Sequence, residues 1–162
     1  MPRHSETRNL PYAPAQLFDL VADVKGYPSF LPWVAAVRIR SDSESLMIAD
    51  LVVGFGAIKE TFTSRVAKQR PVSIATDYIE GPLKYLHNGW KFRPDGRGGT
   101  DLDFCVDFAF KSRIFESLAG QMFDRALRRM INAFEQRAHQ LYRAGRAESE
   151  VGISSSRAQS AA

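Results

Sequence analysis

The clearest periodicity in the chain lies near residue 105. Leu102, Phe104, Val106, Phe108 and Phe110 alternate with Asp101, Asp103, Cys105 and Asp107. Period two with apolar and acidic sides predicts a strand with one buried and one wet face, and so an antiparallel sheet covered on one side only. The same alternation, more weakly, predicts strands over 3–10, around Val37 and Ile39, over 46–53, over about 59–69 with Ile58, Phe62 and Val66 on one face, over 72–78, and over 86–92. Turn chemistry separates them at 41–45 (Ser-Asp-Ser-Glu-Ser), Arg70-Pro71, Gly81-Pro82 and 94–99 (Pro-Asp-Gly-Arg-Gly-Gly). Two stretches change period. Leu17, Phe18 and Val21 follow Pro14 at helical spacing and predict a short helix to about Ala22. From about Arg113 to Tyr142, Phe115, Leu118, Met122, Phe123, Leu127, Met130, Ile131, Phe134 and Leu141 keep helical spacing. That predicts a helix about 45 Å long, at ~1.5 Å per residue, able to cross the whole sheet. The fold class is therefore α+β: a curved seven-stranded antiparallel sheet around a long C-terminal helix.

Segment 23–33, Asp-Val-Lys-Gly-Tyr-Pro-Ser-Phe-Leu-Pro-Trp, fits neither period. Pro28 and Pro32 bar a long helix, yet Tyr27, Phe30, Leu31 and Trp33 make it strongly apolar. Such a loop covers a core or lines a cavity. Large aromatics (Phe62, Tyr78, Trp90, Phe104, Phe108) line the inner face of the predicted sheet, and Met122, Phe123 and Met130 face them from the long helix. Gly54 and Gly56, flanking Phe55, and Gly89 beside Trp90 are expected where strands bend or bulge. A sheet so curved can leave a cavity between itself and the helix, with the 23–33 segment as its mouth or as a plug of the core. Glu60 and Asn88 share the inward parity and are the candidate polar contacts for a ligand headgroup, or else satisfied core groups.

These residues resemble the coenzyme Q-binding START-domain family, within the polyketide cyclase/dehydrase and lipid-transport superfamily. The resemblance covers about residues 3–143. It rests on Asp23-Val-x-x-Tyr27-x-x-Phe30-Leu31-Pro32-Trp33, on the stretch from Gly54 to Phe62, on Gly81-Pro-Leu, and on the run from Phe108 to Leu118. It implies a helix-grip fold and binding of ubiquinone or a related isoprenoid lipid, in support of respiratory electron transport or quinone biosynthesis. It implies no catalysis, and no cofactor beyond ubiquinone as bound ligand. Some relatives are described as ribosome-associated toxins that block subunit joining, which makes a ribosomal subunit the alternative partner.

Composition narrows the rest. At 162 residues and 44% hydrophobic, the chain reads as one domain over 1–145 with a disordered polar tail over 146–162. Cys105 is the only cysteine, which excludes an internal disulfide and a multi-cysteine metal site. No secretory signal is expected, and a reduced cytoplasmic setting follows. The net charge of +4 is concentrated late: between Lys111 and Arg146 eight basic residues stand against three acidic. Such a surface meets anionic lipid headgroups, as a protein held peripherally at the inner membrane face, or RNA, or is simply solvated; no DNA partner is expected. His4, His87 and His139 have no metal-ligand spacing, and His87 and His139 are expected at the surface. Asp101, Asp103 and Asp107 read as a solvated face. A cyclase-type reaction would have only Glu60, Asn88 and Tyr78 to draw on.

Overall fold

The computed structural model describes residues 3–55 and 58–143, with side chains at all of these except 55, 58, 114–124, 126 and 143. The tail expected over 146–162 therefore lies outside the described residues. Seven strands form one antiparallel sheet: β1 (Arg3–Leu10), β2 (Val34–Asp42), β3 (Leu46–Phe55), β4 (Ile58–Gln69), β5 (Ser73–Glu80), β6 (Leu83–Pro94) and β7 (Thr100–Phe110). Their order in the sheet is β1-β7-β6-β5-β4-β3-β2. Every link but β1–β7 is a hairpin, so the chain meanders and returns its first strand to the far edge. Helix α1 (Pro14–Ala22) and a 3-10 segment (Val24–Ser29) connect β1 to β2, and α2 (Arg113–Ala138) follows β7 and ends in a π turn (His139–Arg143). This is the helix-grip arrangement expected from the sequence.

Strand register carries the alternation into three dimensions. Leu102, Phe104 and Val106 are buried while Cys105 between them is exposed. Trp90 stands opposite Phe104 on one side and Ile74 on the other, so one inward row crosses β7, β6 and β5. Register shifts fall between Val34 and Ala36, Ile39 and Ser41, Thr63 and Ser64, and Leu83 and Tyr85. Extra residues at these points increase strand bend and twist, which curls the sheet around α2. Of the bend or bulge expected at Gly54 and Gly89, no bulge falls at either. Gly54 pairs regularly with Lys59, and Gly89 lies in an unbroken ladder between Ala75 and Cys105. Gly56 lies outside the described residues. A Cβ on Gly89 would come within 3.0 Å of the Cys105 sulfur, so close packing is the reason for glycine there.

Helix α1 starts where Pro14 occupies its first turn, and Gln16 Oε1 accepts a hydrogen bond from the Ala13 amide at 3.0 Å. Its apolar side (Leu17, Phe18, Leu20, Val21) is buried against the sheet and α2. On α2 the residues Leu127, Ile131, Phe134 and Ala138 are buried, at the i, i+4, i+7, i+11 positions of one face. Burial of each large side chain contributes about 1.5–3 kcal/mol.

Candidate functional site

The inner face of the sheet divides into two halves. In the first, β1, β6 and β7 meet α1 and the C-terminal half of α2. Phe134 is the hub: its ring lies 5.2 Å from Trp90, 5.3 Å from Tyr27 and 5.1 Å from Phe30, centroid to centroid. Trp90 in turn meets Phe104 at 4.7 Å. All these contacts are edge-on, the arrangement aromatic quadrupoles favour. The cavity left under α1, lined by Leu17, Leu20, Trp90, Leu102 and Ile131 among others, measures about 20 Å³. That is space for one water molecule, not for a lipid.

In the second half the strands continue past this plug. Leu51 of β3, Phe62 of β4, Thr76 and Tyr78 of β5, Leu86 and Asn88 of β6 and Phe108 of β7 point to the same side as the core and are only half-buried. Phe62 and Tyr78 lie outside the buried cluster, and Leu51, Leu86 and Phe108 pack at its margin. Here the sheet faces the start of α2, which leaves β7 at the same end. Met122 and Phe123 fall among the side chains outside the description. Met130, half-buried, packs against the closed half.

Segment 23–33 joins the closed half. Leu31 is 3% exposed and belongs to the core. The Tyr27 ring packs on Phe30 and Phe134, and its hydroxyl donates to the Val21 carbonyl at the end of α1. Burial, reinforced by the Asp23 charge, pushes the Tyr27 hydroxyl well above its ordinary pKa, so it is a proton donor at every physiological pH. Phe30 is half-buried and carries the Arg137 guanidinium over its ring at 5.7 Å, a cation–π contact. Trp33 reaches toward the open half through its backbone: its carbonyl accepts from the Gly54 amide at 2.8 Å.

The two polar candidates have separate fates. Asn88 is a satisfied group. Its amide donates to the Cys105 carbonyl at 2.9 Å and accepts the Trp90 indole N–H at 2.8 Å, so it holds the tryptophan in place. Glu60 has the inward parity, opposite Val53, but is exposed at the end of the sheet. Its carboxylate, so near the strand end, stays in water and avoids the desolvation cost of burial. Tyr78 also has a structural bond, its oxygen accepting from the Leu83 amide at 3.0 Å.

Other expectations are met or corrected nearby. His87 is exposed and bonds Asp77 at 2.6 Å. His139 is not at the free surface: it is half-buried against Tyr12, with its Nδ1 hydrogen-bonded to the tyrosine hydroxyl. The π turn after α2 swings it back onto the chain entering α1. The three aspartates of β7 lie on the wet face, where Arg93 and Thr7 bond Asp103 and hold its carboxyl down to about 2.

Sequence reasoning missed three features. Leu51 and Thr76 belong to the open half and share the parity of Phe62 and Tyr78, a signal that was available. The inward side of β1 is polar: Glu6 bonds both His4 at 3.0 Å and Arg8 at 2.8 Å, and Arg8 reaches Glu135 of α2 at 3.0 Å. Those bonds outweigh partial burial and lower the Glu6 pKa. Asp50, buried on the outer face, is lowered by Thr63 foremost and by Arg40. Both clusters pair strands whose partners only the fold reveals.

Known proteins share this arrangement. The Ribosome association toxin RatA of Rickettsia prowazekii is 42% identical over 139 residues, 83% of this chain and 94% of that protein. The mitochondrial Coenzyme Q-binding protein COQ10 homolog B of Xenopus laevis is 34% identical over 143 residues, 86% of this chain and 59% of that protein. An 18 kDa protein from Caulobacter crescentus solved in solution is 41% identical, with a TM-score of 0.70 over 88% of this chain and 99% of that one. The Zhui aromatase/cyclase from Streptomyces sp. R1128 superposes with a TM-score of 0.78 at 19% identity, over 89% of this chain and 97% of that one, and shares the fold alone. The sequence pattern of the polyketide cyclase/dehydrase and lipid transport family matches residues 10–135. With the curved sheet, the gripped helix and this match together, the chain belongs to the polyketide cyclase/dehydrase and lipid transport family.

Proposed function

We propose that the chain binds ubiquinone or a related isoprenoid lipid along the open half of its inner face. The observation that carries this reading is the row of half-buried apolar side chains (Leu51, Phe62, Tyr78, Leu86, Phe108) that face inward beyond the aromatic plug. An isoprenoid tail laid along these half-buried side chains would bury its own methylenes at about 0.8 kcal/mol each. The plug around Phe134 is the closed end of the site, Trp33 its rim beside Gly54, and exposed Glu60 the polar group within reach of a headgroup at the sheet end. The similarity to a coenzyme Q-binding protein supports the same ligand class. The role is binding and not turnover: Asn88 and Tyr78, two of the three inward groups a cyclase-type reaction would use, are engaged in holding Trp90 and the Leu83 amide.

The test is organic extraction of the purified full-length chain followed by mass spectrometry, which is expected to release a quinone. Delipidated protein is then titrated with ubiquinone while tryptophan fluorescence is followed. No extracted quinone and no quenching would remove this reading.

A second reading, association with a ribosomal subunit, is supported by the similarity at 42% identity to a protein named for that association. It predicts comigration of the chain with one subunit in a low-salt gradient. It does not compete for the same surface, since lipid binding uses the inner face and a large partner requires an outer one.

A further inference from the structure

The inner face accounts for one side of α2, and its opposite side is a separate surface. Arg125, Arg128, Arg129, Asn132, Gln136 and Gln140 are all exposed. At 100° per residue the five within α2 fall within about a third of the helix circumference, opposite buried Leu127, Ile131, Phe134 and Ala138, and Gln140 follows in the π turn. Among the described residues none of the three arginines has a carboxylate partner. Glu135, the one acid of α2 with a described side chain, is turned to Arg8 at 3.0 Å. Among the described residues this face offers arginines toward its N-terminal end and amides toward its C-terminal end; the Asn132 oxygen accepts from Arg8 at 3.2 Å and the Gln140 oxygen from Arg137 at 3.4 Å, so these two amides meet a further partner through their N–H groups.

We infer that this face of α2 docks on the backbone of double-stranded RNA. Arginines three and four residues apart have Cβ atoms about 5–6 Å apart, and each guanidinium matches a phosphate with two parallel hydrogen bonds. The asparagine and glutamines beyond them suit the 2′-hydroxyls and base edges of the wide, shallow minor groove of an RNA helix. A membrane surface fits less well. A helix that docks on lipid sinks an apolar face into the acyl boundary, and the described apolar face of α2, Leu127 to Ala138, is already buried in the core. The amides also gain nothing from anionic headgroups. The inference rests on the second reading above for its biological setting, but not for its chemistry.

The experiment uses the full-length chain and a labelled RNA hairpin with a stem of about 20 base pairs, with binding followed by fluorescence anisotropy between 50 and 200 mM salt. The variant is Arg125→Glu/Arg128→Glu/Arg129→Glu. The control, Arg38→Glu/Lys59→Glu/Arg65→Glu, makes the same charge change on the exposed outer sheet face. Loss of three phosphate contacts should weaken binding at least tenfold at 50 mM salt and flatten the slope of log K against log salt by about 2–3. The control should bind within about twofold of the original. Equal losses in both variants would reduce the effect to net charge and overturn the inference. So would absence of RNA binding by the original chain, or arginine-dependent binding to phosphatidylglycerol vesicles in its place. If the α2 variant still comigrates with a ribosomal subunit, ribosome association stands and its docking through α2 fails. Retained ubiquinone quenching in the α2 variant shows that the fold and the lipid reading are untouched.

Discussion

At Trp90 and Phe134 the inner face of the sheet is packed shut; at Phe62 and Tyr78, on the same face of the same sheet, it is not. Both regions are rich in aromatics and both follow the same alternation. What separates them is what stands opposite. Phe134 meets three other rings within 5.3 Å, and segment 23–33 closes over it. Phe62 and Tyr78 are half-buried, lie outside the buried cluster and make no such ring contact among the described residues. Aromatic content alone therefore does not set the two regions apart; the depth of burial does.

Phe134→Ala tests the closed half most severely. Removal of a buried hub ring should cost about 3–5 kcal/mol in urea unfolding. A loss below about 1 kcal/mol would mean the plug is not packed as described. Next is Asn88→Ala, which strands the buried indole N–H of Trp90. The expected loss is about 1–3 kcal/mol, with a shift in tryptophan emission that Asn88→Gln does not reproduce in full. Tyr27→Phe deletes only the hydroxyl bond to the Val21 carbonyl and should cost about 1 kcal/mol. Unaltered stability would show that water replaces that bond and that the loop is less closed than it stands here. Phe62→Ala carries the contrast to the other side. Half-buried and outside the core cluster, it should cost no more than about 1 kcal/mol while lowering quinone retention several-fold. Were it to destabilise as much as Phe134→Ala, the two halves would be one core.

The smallest expected effect lies on the wet face and calibrates the rest. Asp103 is held at about 2 by Arg93 first and Thr7 second, below its unfolded value of 3.8. A depressed carboxyl contributes stability above the unfolded pKa and loses it as pH falls through the folded one. Its contribution should be complete above about pH 4 and gone below about pH 2. Because the side chain is a third exposed, screening keeps it to no more than about 1 kcal/mol. Asp103→Asn should accordingly lower the urea midpoint at neutral pH and match the original chain near pH 2. A difference that persists unchanged at pH 2 would assign the effect to hydrogen-bond geometry instead of charge.

The order strand, helix, apolar loop, six strands and long helix could be read directly, because period two and period 3.6 are properties of neighbouring residues. Leu102 to Phe110 and Leu127 to Ala138 declare their faces without reference to anything else. The apolar loop was equally visible through Tyr27, Phe30, Leu31, Trp33 and their prolines. The candidate site was legible only as a parity: Phe62, Tyr78 and Phe108 were recognised as inward, but so were Trp90 and Phe104, which lie in the plug. Glu60 shows the same limit, since parity gives its side of the sheet and not its distance from the sheet end.

The sequence by itself determined which side chains face the helix and which face water, since that follows from local backbone geometry. Only the tertiary structure decided which inward residues find partners. Asn88 bonds Cys105 and Trp90, Tyr27 reaches Val21, His139 folds back on Tyr12, and Phe134 gathers rings from β6 and from segment 23–33. Those pairings depend on strand register, on four register shifts in the sheet and on where α2 crosses it. They are long-range quantities, and neither period two nor period 3.6 encodes them.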